Sequence, residues 1–453
     1  MENQKDRGSF SKIGFILAAA GSSIGLGNLW KFPYLTGQNG GGVFVVIYLI
    51  IIATIGFTCM LGEMAIGKYT KLNPIGAYKK IASKWKFVGV LGILVPFLIV
   101  TYYNIIGGWV LKYIVESIMG HLPGIAGDSE NFFTSYVSSG GAPIFFTLLF
   151  VIINAIIIQA GVSSGIERAS KVLMPTLFVL LIVIAIRSIT LPGAGVGLEF
   201  YLKPDFSKLT LSTVTAALGQ CFFSLSLGMG AMITYGSYLP DSSHIEKDSI
   251  VVPLLDTCAA LLAGFAILPA VFAFGFEPSA GPGLIFITLP AVFDSMPLGT
   301  LWAVIFFILV LFAAITSSVS LIENPTSWLI DSYDMDRKKA TWLVCIVAFL
   351  IAIPEALSMG IWSGVTFPPM GMNFFDEVSY IAESILMPAA GFFMCIVIGH
   401  VWGMDNFEKA VTNNGEFPFK SKGFVSVMVK YIAPFAILCI WLNSSGILGL
   451  FMK

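Results

Sequence analysis

The stretch "LAAAGSSIGLGNLWKFPY" (Leu17–Tyr34) begins as an apolar helix and then sets two serines and three glycines in its middle. Glycine inside a helix costs about 0.5–1 kcal/mol relative to alanine. A membrane-length helix with this centre is predicted to unwind partway across. A second stretch, "CFFSLSLGMGAMITYG" (221–236), repeats the pattern: serines, then Gly228-x-Gly230, as Gly25-x-Gly27 stands in the first. Serine and glycine also let helices pack closely, but the matched pair favours two unwound helices.

The surrounding chain is built for a bilayer. Its 453 residues are 57% hydrophobic and 11% charged, with a mean hydropathy of +0.88. A helix needs about 20 mostly apolar residues to cross the hydrocarbon core. That measure predicts eleven spans, at 13–36, 41–69, 87–115, 143–161, 168–187, 212–238, 249–275, 298–330, 340–355, 376–402 and 425–450. The interruptions fall in spans one and six, five spans apart, which predicts a 5+5 inverted repeat and one extra helix. Segment 1–12 is read as a cytoplasmic N-terminal stretch, 13–187 as the first repeat and 188–211 as an extracellular connector. Residues 212–402 form the second repeat, 403–424 a cytoplasmic connector, and 425–453 the eleventh helix and C-terminus. The connectors 277–297 and 403–424 have the character of short surface helices.

With the N-terminus in the cytoplasm, 19 of the 25 lysines and arginines fall on the cytoplasmic side, as the positive-inside rule requires. The C-terminus is then outside, in a multi-pass protein of the cell membrane. A net charge of −1 points to no nucleic acid. The six cysteines lie in apolar runs without CxxC spacing, so neither disulfide nor metal site is indicated. No obligatory protein partner is evident.

Paired, glycine-interrupted spans are the sequence pointer to a transporter's binding site. Freed carbonyls suit a hard cation, and half-helix N-termini suit a carboxylate. Ser22, Ser23, Ser224, Ser226 and Asn28 add oxygen ligands, and span eight supplies Thr316, Ser317 and Ser318. Ionisable residues within spans are costly and are functional candidates by default. Asp256, alone in "VVPLLDTCAALL", is read as coordinating or balancing a cation, against a structural partnership with a neighbouring hydroxyl. Glu63 is read as bonding the freed backbone of a broken helix, and Glu323 and Glu383 as packing or pore-lining residues. An enzyme finds little support: there are three histidines and no HExxH. The two GxSxG matches, at 21–25 and 161–165, lie in helical contexts without a nucleophile elbow.

The motifs "GLGNLWKFPY" (25–34), "NGGGVF" (39–44), "TYYNI" (101–105), "GIERASKVLMPTLF" (165–178), "GQCFFSLSLGMGAMITYGSY" (219–238) and "ITSSVSL" (315–321) resemble the neurotransmitter:sodium symporter family in its bacterial, eleven-helix amino-acid-transporting branch. The resemblance implies an all-α membrane protein of LeuT-like fold that imports hydrophobic or aromatic L-amino acids with two Na⁺ ions. A proton- or other cation-coupled permease of the same architecture is the alternative.

One ion site would use Ser23, Asn28, Ser224 and Asp256. The family usually has Asn where Asp256 stands, and Ala260 replaces a chloride-binding Ser or an acid, which implies chloride independence. A second ion site would use carbonyls of Gly21, Ile24 and Ala313 with the hydroxyls of Thr316 and Ser317. The substrate carboxylate would meet Tyr103 and the amides near Gly27, its amino group the carbonyls around Ser22, Phe223, Ser224 and Ser226. Ile99, Phe223, Met229, Ser318 and Leu321 would line the side-chain pocket. Gly25 stands where monoamine transporters carry Asp, so the cargo brings its own carboxylate. The outer gate would pair Lys31 with Asp376 under a Phe223 lid, since the family's acidic position aligns with Ser379. The inner gate would pair Arg7 with Asp331 near Tyr238, with Phe10 in place of the usual tryptophan. Gly165 and Pro175 match a Gly-x9-Pro pattern whose unwinding would wet the second ion site from inside.

Overall fold

In a computed structural model, residues 8–122, 126–277, 283–368 and 370–445 are described. Arg7 therefore lies outside the described residues. Nine helices among those described are long and apolar enough to cross a membrane. They are Gly42–Thr70, Ser83–Met119, Gly141–Gln159, Val162–Ile189, Ile245–Ala273, Gly299–Tyr333, Arg337–Ser358, Phe374–Trp402 and Lys422–Ser444. They are spans two to five and seven to eleven. Span one is the pair Lys12–Ser23 and Gly27–Gln38, bent by 50°. Span six is the pair Leu211–Ser224 and Ala231–Ser237, separated by a turn of six residues, 225–230. Helices thus stand at all eleven predicted positions, two of them broken where the glycines stand.

Span nine is longer than the apolar run 340–355 indicates, because Asp336 caps its start by accepting from Lys339 N at 3.2 Å. The connectors 121–142, 188–211, 277–297 and 403–424 each contain a helix, at Ala126–Ser138, Ala194–Leu202, Leu284–Asp294 and Met404–Thr412. The only β pairing among the described residues is two isolated bridges, Gly41 with Pro204 and Phe367 with Met372.

Spans three and eight pack most extensively on each other and flank the broken pair. Backbone freed at membrane depth needs protein partners, and these are supplied locally. Glu63 in span two accepts from Gly228 N at 2.8 Å and Met232 N at 3.2 Å, the role its position suggested. Asn324 donates to Met229 O at 2.7 Å, and Gln220 donates to Gly27 O at 3.0 Å. The two breaks also touch each other, since Ser226 Oγ donates to Ser22 O at 3.0 Å.

Candidate functional site

One cavity lies between the two breaks. It is lined by Ser22, Ser23, Gly25, Leu26, Gly27, Ile99, Tyr103, Phe223, Ser224, Ser226, Met229, Ser317 and Leu321. Span one ends its first half at Ile24, whose N–H still donates to Ala20 O at 2.7 Å. Beyond it the second half opens toward the cavity as a wide turn over Gly27–Lys31. Tyr103 OH accepts from Leu26 N at 3.2 Å, so span three pins the break.

The sequence missed Leu26 as a lining residue and placed Ser317 in an ion site only. Ser318 is fully buried and donates to Asn104 Oδ1 at 3.3 Å, outside the cavity lining. A Cβ on Gly25 would lie 2.4 Å from Ser317 Oγ and 3.0 Å from Tyr103 OH. Any side chain there must displace these groups.

Asp256 is fully buried on span seven. Its carboxylate receives Asn28 Nδ2 at 2.8 Å, Ser224 Oγ at 2.9–3.0 Å and Tyr48 OH at 3.4 Å. All three partners are neutral, and no salt bridge reaches it among the described residues. Ser23 Oγ is buried without a hydrogen-bond partner among the described residues. A buried carboxylate with neutral neighbours and a spare hydroxyl is a donor set that fits a hard monovalent cation.

A second convergence of oxygens lies where span eight meets the end of the first half-helix. Ser317 Oγ is 3.3, 3.2 and 3.5 Å from the carbonyl oxygens of Gly21, Ser22 and Ile24. Its single hydrogen can serve only one of the three. Thr316 Oγ1, 3.1 Å from Ala313 O, is beside them, since a Cβ on Gly21 would lie 3.1 Å from Thr316 Cβ. Oxygen-only coordination of this kind suits an alkali cation. No cluster of three His, Cys, Asp or Glu occurs among the described residues.

Above the cavity, Lys31 Nζ lies 2.7 Å from Glu383 Oε2 and 4.1 Å from the centre of the Phe223 ring. Tyr102 OH donates to Glu383 Oε1 at 2.7 Å. Asp376, the acid expected at Lys31, is instead exposed, where it closes the helix start with Asn373. Seven residues of helix separate the two acids, about 10 Å along the axis, and the deeper one reaches the lysine. A cavity of about 250 Å³ lies beyond this pair, lined by Lys31, Gln220, Phe222, Glu383 and Met387 among others.

Below, Phe10 packs edge-on against Tyr235 and Tyr238, with centroids at 5.3 and 5.9 Å. Arg337 makes two bonds of 2.9 Å to Glu323, which also accepts from Tyr238 OH at 2.6 Å. Glu323 is thus the anchor of a polar seal on this side of the cavity and more than packing. No motif in the sequence joined it to Arg337, which lies 14 residues on. Asp331 accepts from Asn73 N and Nδ2 at 3.0 and 2.8 Å. The N-terminal segment is also tied to span five: Glu167 accepts from Ser11 N at 2.9 Å and Lys171 Nζ at 2.6 Å. This tie stands two residues after Gly165, within the wide turn Val162–Glu167 that opens span five.

Broken helices around a closed pocket, with oxygen clusters at both breaks and seals on both sides, define an ion-coupled membrane carrier. The profile of the sodium:neurotransmitter symporter family matches residues 7–135 and 131–447, and the chain belongs to that family. An uncharacterized sodium-dependent transporter of Bacillus subtilis is 39% identical over 99% of this chain and 100% of its own. One from Methanocaldococcus jannaschii is 34% identical, over 93% of this chain and 86% of its own. The sodium- and chloride-dependent taurine transporter of Canis lupus familiaris is 30% identical, over 87% and 71%. The crystal structure of MhsT in complex with L-phenylalanine superposes with a TM-score of 0.89 at 41% identity, covering 97% of this chain and 100% of that one. The chain is therefore a sodium-dependent symporter of LeuT-like fold and not an enzyme.

Proposed function

We propose that the chain imports hydrophobic or aromatic L-amino acids by alternating access, driven by two sodium ions and independent of chloride. The observation that carries this is the cavity itself. Its Tyr103 end offers a phenol and half-helix backbone to a carboxylate, while Gly25 leaves no acid there to replace one. Ile99, Phe223, Met229 and Leu321 give the rest an apolar lining without charge, and the flexible thioether of Met229 tolerates varied shapes. The relative solved with L-phenylalanine supports this cargo class.

One sodium ion would sit among Ser23, Asn28, Ser224, Asp256 and the substrate carboxylate, so that ion and cargo share ligands and their binding energies couple. The other would sit among Gly21, Ile24, Ala313, Thr316 and Ser317. Asp256 would supply the negative charge for which chloride serves in relatives named as chloride-dependent. Residues 13–187 and 212–402 would act as the two repeats, in a cell membrane with the N-terminus cytoplasmic and the C-terminus outside, as the lysine and arginine distribution favours.

Uptake of labelled phenylalanine and leucine into proteoliposomes tests the reading. Accumulation should need an inward sodium gradient and persist when gluconate replaces chloride; accumulation without the sodium gradient would sink it. Thr316→Ala with Ser317→Ala removes two hydroxyl ligands, each worth about 0.5–1.5 kcal/mol. The sodium concentration giving half-maximal substrate binding should rise about tenfold, as read by scintillation proximity binding. Glu383→Gln removes the charge opposite Lys31 and leaves it a neutral acceptor and the Phe223 ring. We expect about tenfold faster escape of bound substrate to the outside, whereas Asp376→Asn leaves that rate unchanged.

A further inference from the structure

Span nine carries a carboxyl that neither the pocket nor the seals use. Glu355 follows Pro354 and is fully buried. Its Oε1 lies 2.7 Å from Thr101 Oγ1 in span three, and its Oε2 meets no hydrogen-bonding group among the described residues. Thr101 Oγ1 is also 2.7 Å from the carbonyl oxygen of Leu98. A hydroxyl has one hydrogen, and here two oxygens stand at donor distance from it.

Were Glu355 a carboxylate, one of these contacts would hold two oxygens together without a proton. The other carboxylate oxygen would be buried and unpaired, at a cost of several kcal/mol. A carboxylic acid removes the first conflict and lessens the second, since the unpaired Oε2 is then a neutral carbonyl oxygen and no longer shares a negative charge. Glu355 then donates to Thr101 Oγ1, and Thr101 donates to Leu98 O.

Among the described residues, no cation pairs with Glu355 to favour the charged form. Span four, which packs on span nine, has no charged residue. Span eight brings Glu323, held by Arg337, and Asp331 at its cytoplasmic end. Span three brings Tyr102, Tyr103, Tyr113 and the Lys112–Glu116 pair, with Lys84 and Lys86 at its far end, 15 or more residues from Thr101. The outer turn Phe374–Tyr380 brings exposed Asp376, buried Glu377 and Tyr380. Lys31 is taken by Glu383.

We propose that Glu355 is a proton-binding site of this carrier, neutral while the outer gate is shut and able to release its proton to the outer side when the gate opens. The link is one turn of span three. Thr101 is followed by Tyr102, which donates to the gate residue Glu383, and by Tyr103, which lines the pocket. Opening the Lys31–Glu383 pair frees Tyr102 and admits water to this turn from the outer cavity. The O–H bond of Glu355 then breaks, the electron pair stays on the carboxylate, and the proton passes to that water. Closing the gate requires the proton back, so a high external pH opposes closure.

The test uses the full chain in proteoliposomes. Infrared difference spectra between wild type and Glu355→Gln should show one buried, protonated carboxyl band at neutral pH that the variant lacks. Identical spectra overturn the proposal. Thr101→Val should shift that band, since the acid loses its acceptor, and this reads the same site if Glu355→Gln fails to fold. In the same vesicles, sodium-driven uptake by wild type should fall several-fold as the external pH rises from neutral to alkaline. In Glu355→Gln, whose amide can make the same donation to Thr101, it should change less than twofold. Equal pH slopes overturn the proposal. The uptake arm rests on the function proposed above: wild type that carries no amino acid at any pH refutes that function, while the infrared arm still decides Glu355.

Discussion

Replacing Asp256 by alanine should lower sodium-driven uptake by two orders of magnitude or more. The carboxylate is fully buried and holds Asn28, Ser224 and Tyr48 in one network. Each hydrogen bond to a charged group contributes about 1.5–3 kcal/mol and three donors lose theirs, while each 1.4 kcal/mol is about tenfold in affinity. The loss should appear first as a higher sodium requirement, read by substrate binding across a sodium titration. Asp256→Asn separates two contributions. It keeps an oxygen ligand and loses the charge, so it should also bind sodium at least tenfold more weakly. An Asn variant with wild-type sodium affinity would show that Asp256 serves only as a hydrogen-bonding post.

Gly228→Val should be the most damaging change to the fold of the site. Gly228 has φ +74°, a conformation that costs an L-residue roughly 1–2 kcal/mol. A Cβ there would lie 2.5 Å from Met387 O and 3.3 Å from Gly391 N, both backbone atoms of span ten. Overpacking of this kind adds about 1–3 kcal/mol. The same residue donates its N–H to Glu63, so a shift also unseats that carboxylate. Thermal unfolding in detergent should show a loss of about 2–5 kcal/mol, with uptake abolished. Gly219→Ala is the contrast. Its Cβ meets nothing within 4 Å, so it should leave stability unchanged or slightly raised.

Both positions were readable in the sequence, for different reasons. Gly228 announced itself because a helix-breaking residue within an apolar run has few other uses, and its match to Gly25-x-Gly27 gave the break a partner. Asp256 was conspicuous as a charge inside an uncharged span. What joins them could not be read. Lys31 meets Glu383 and leaves Asp376 outside, a choice of two helical turns that rests on how deeply span ten sits against span one. Glu323 looked like packing because its partner, Arg337, lies 14 residues on and returns to it only after the chain turns between spans eight and nine. Glu355 carried no motif at all. Its chemistry comes from one threonine, 254 residues earlier in the chain.

The opening stretch divides the same way. Composition and spacing alone determined that the chain spans a membrane, that spans one and six break, and that oxygen-bearing side chains gather at the breaks. Those are local properties, set by backbone strain and by the cost of polar groups in hydrocarbon. Which oxygens come within reach of one another, which acid meets which base, and which carboxyl lies beside a lone threonine were decided only by packing. Each depends on distances of about 3 Å between groups far apart in sequence, and hydrophobic periodicity does not encode such distances.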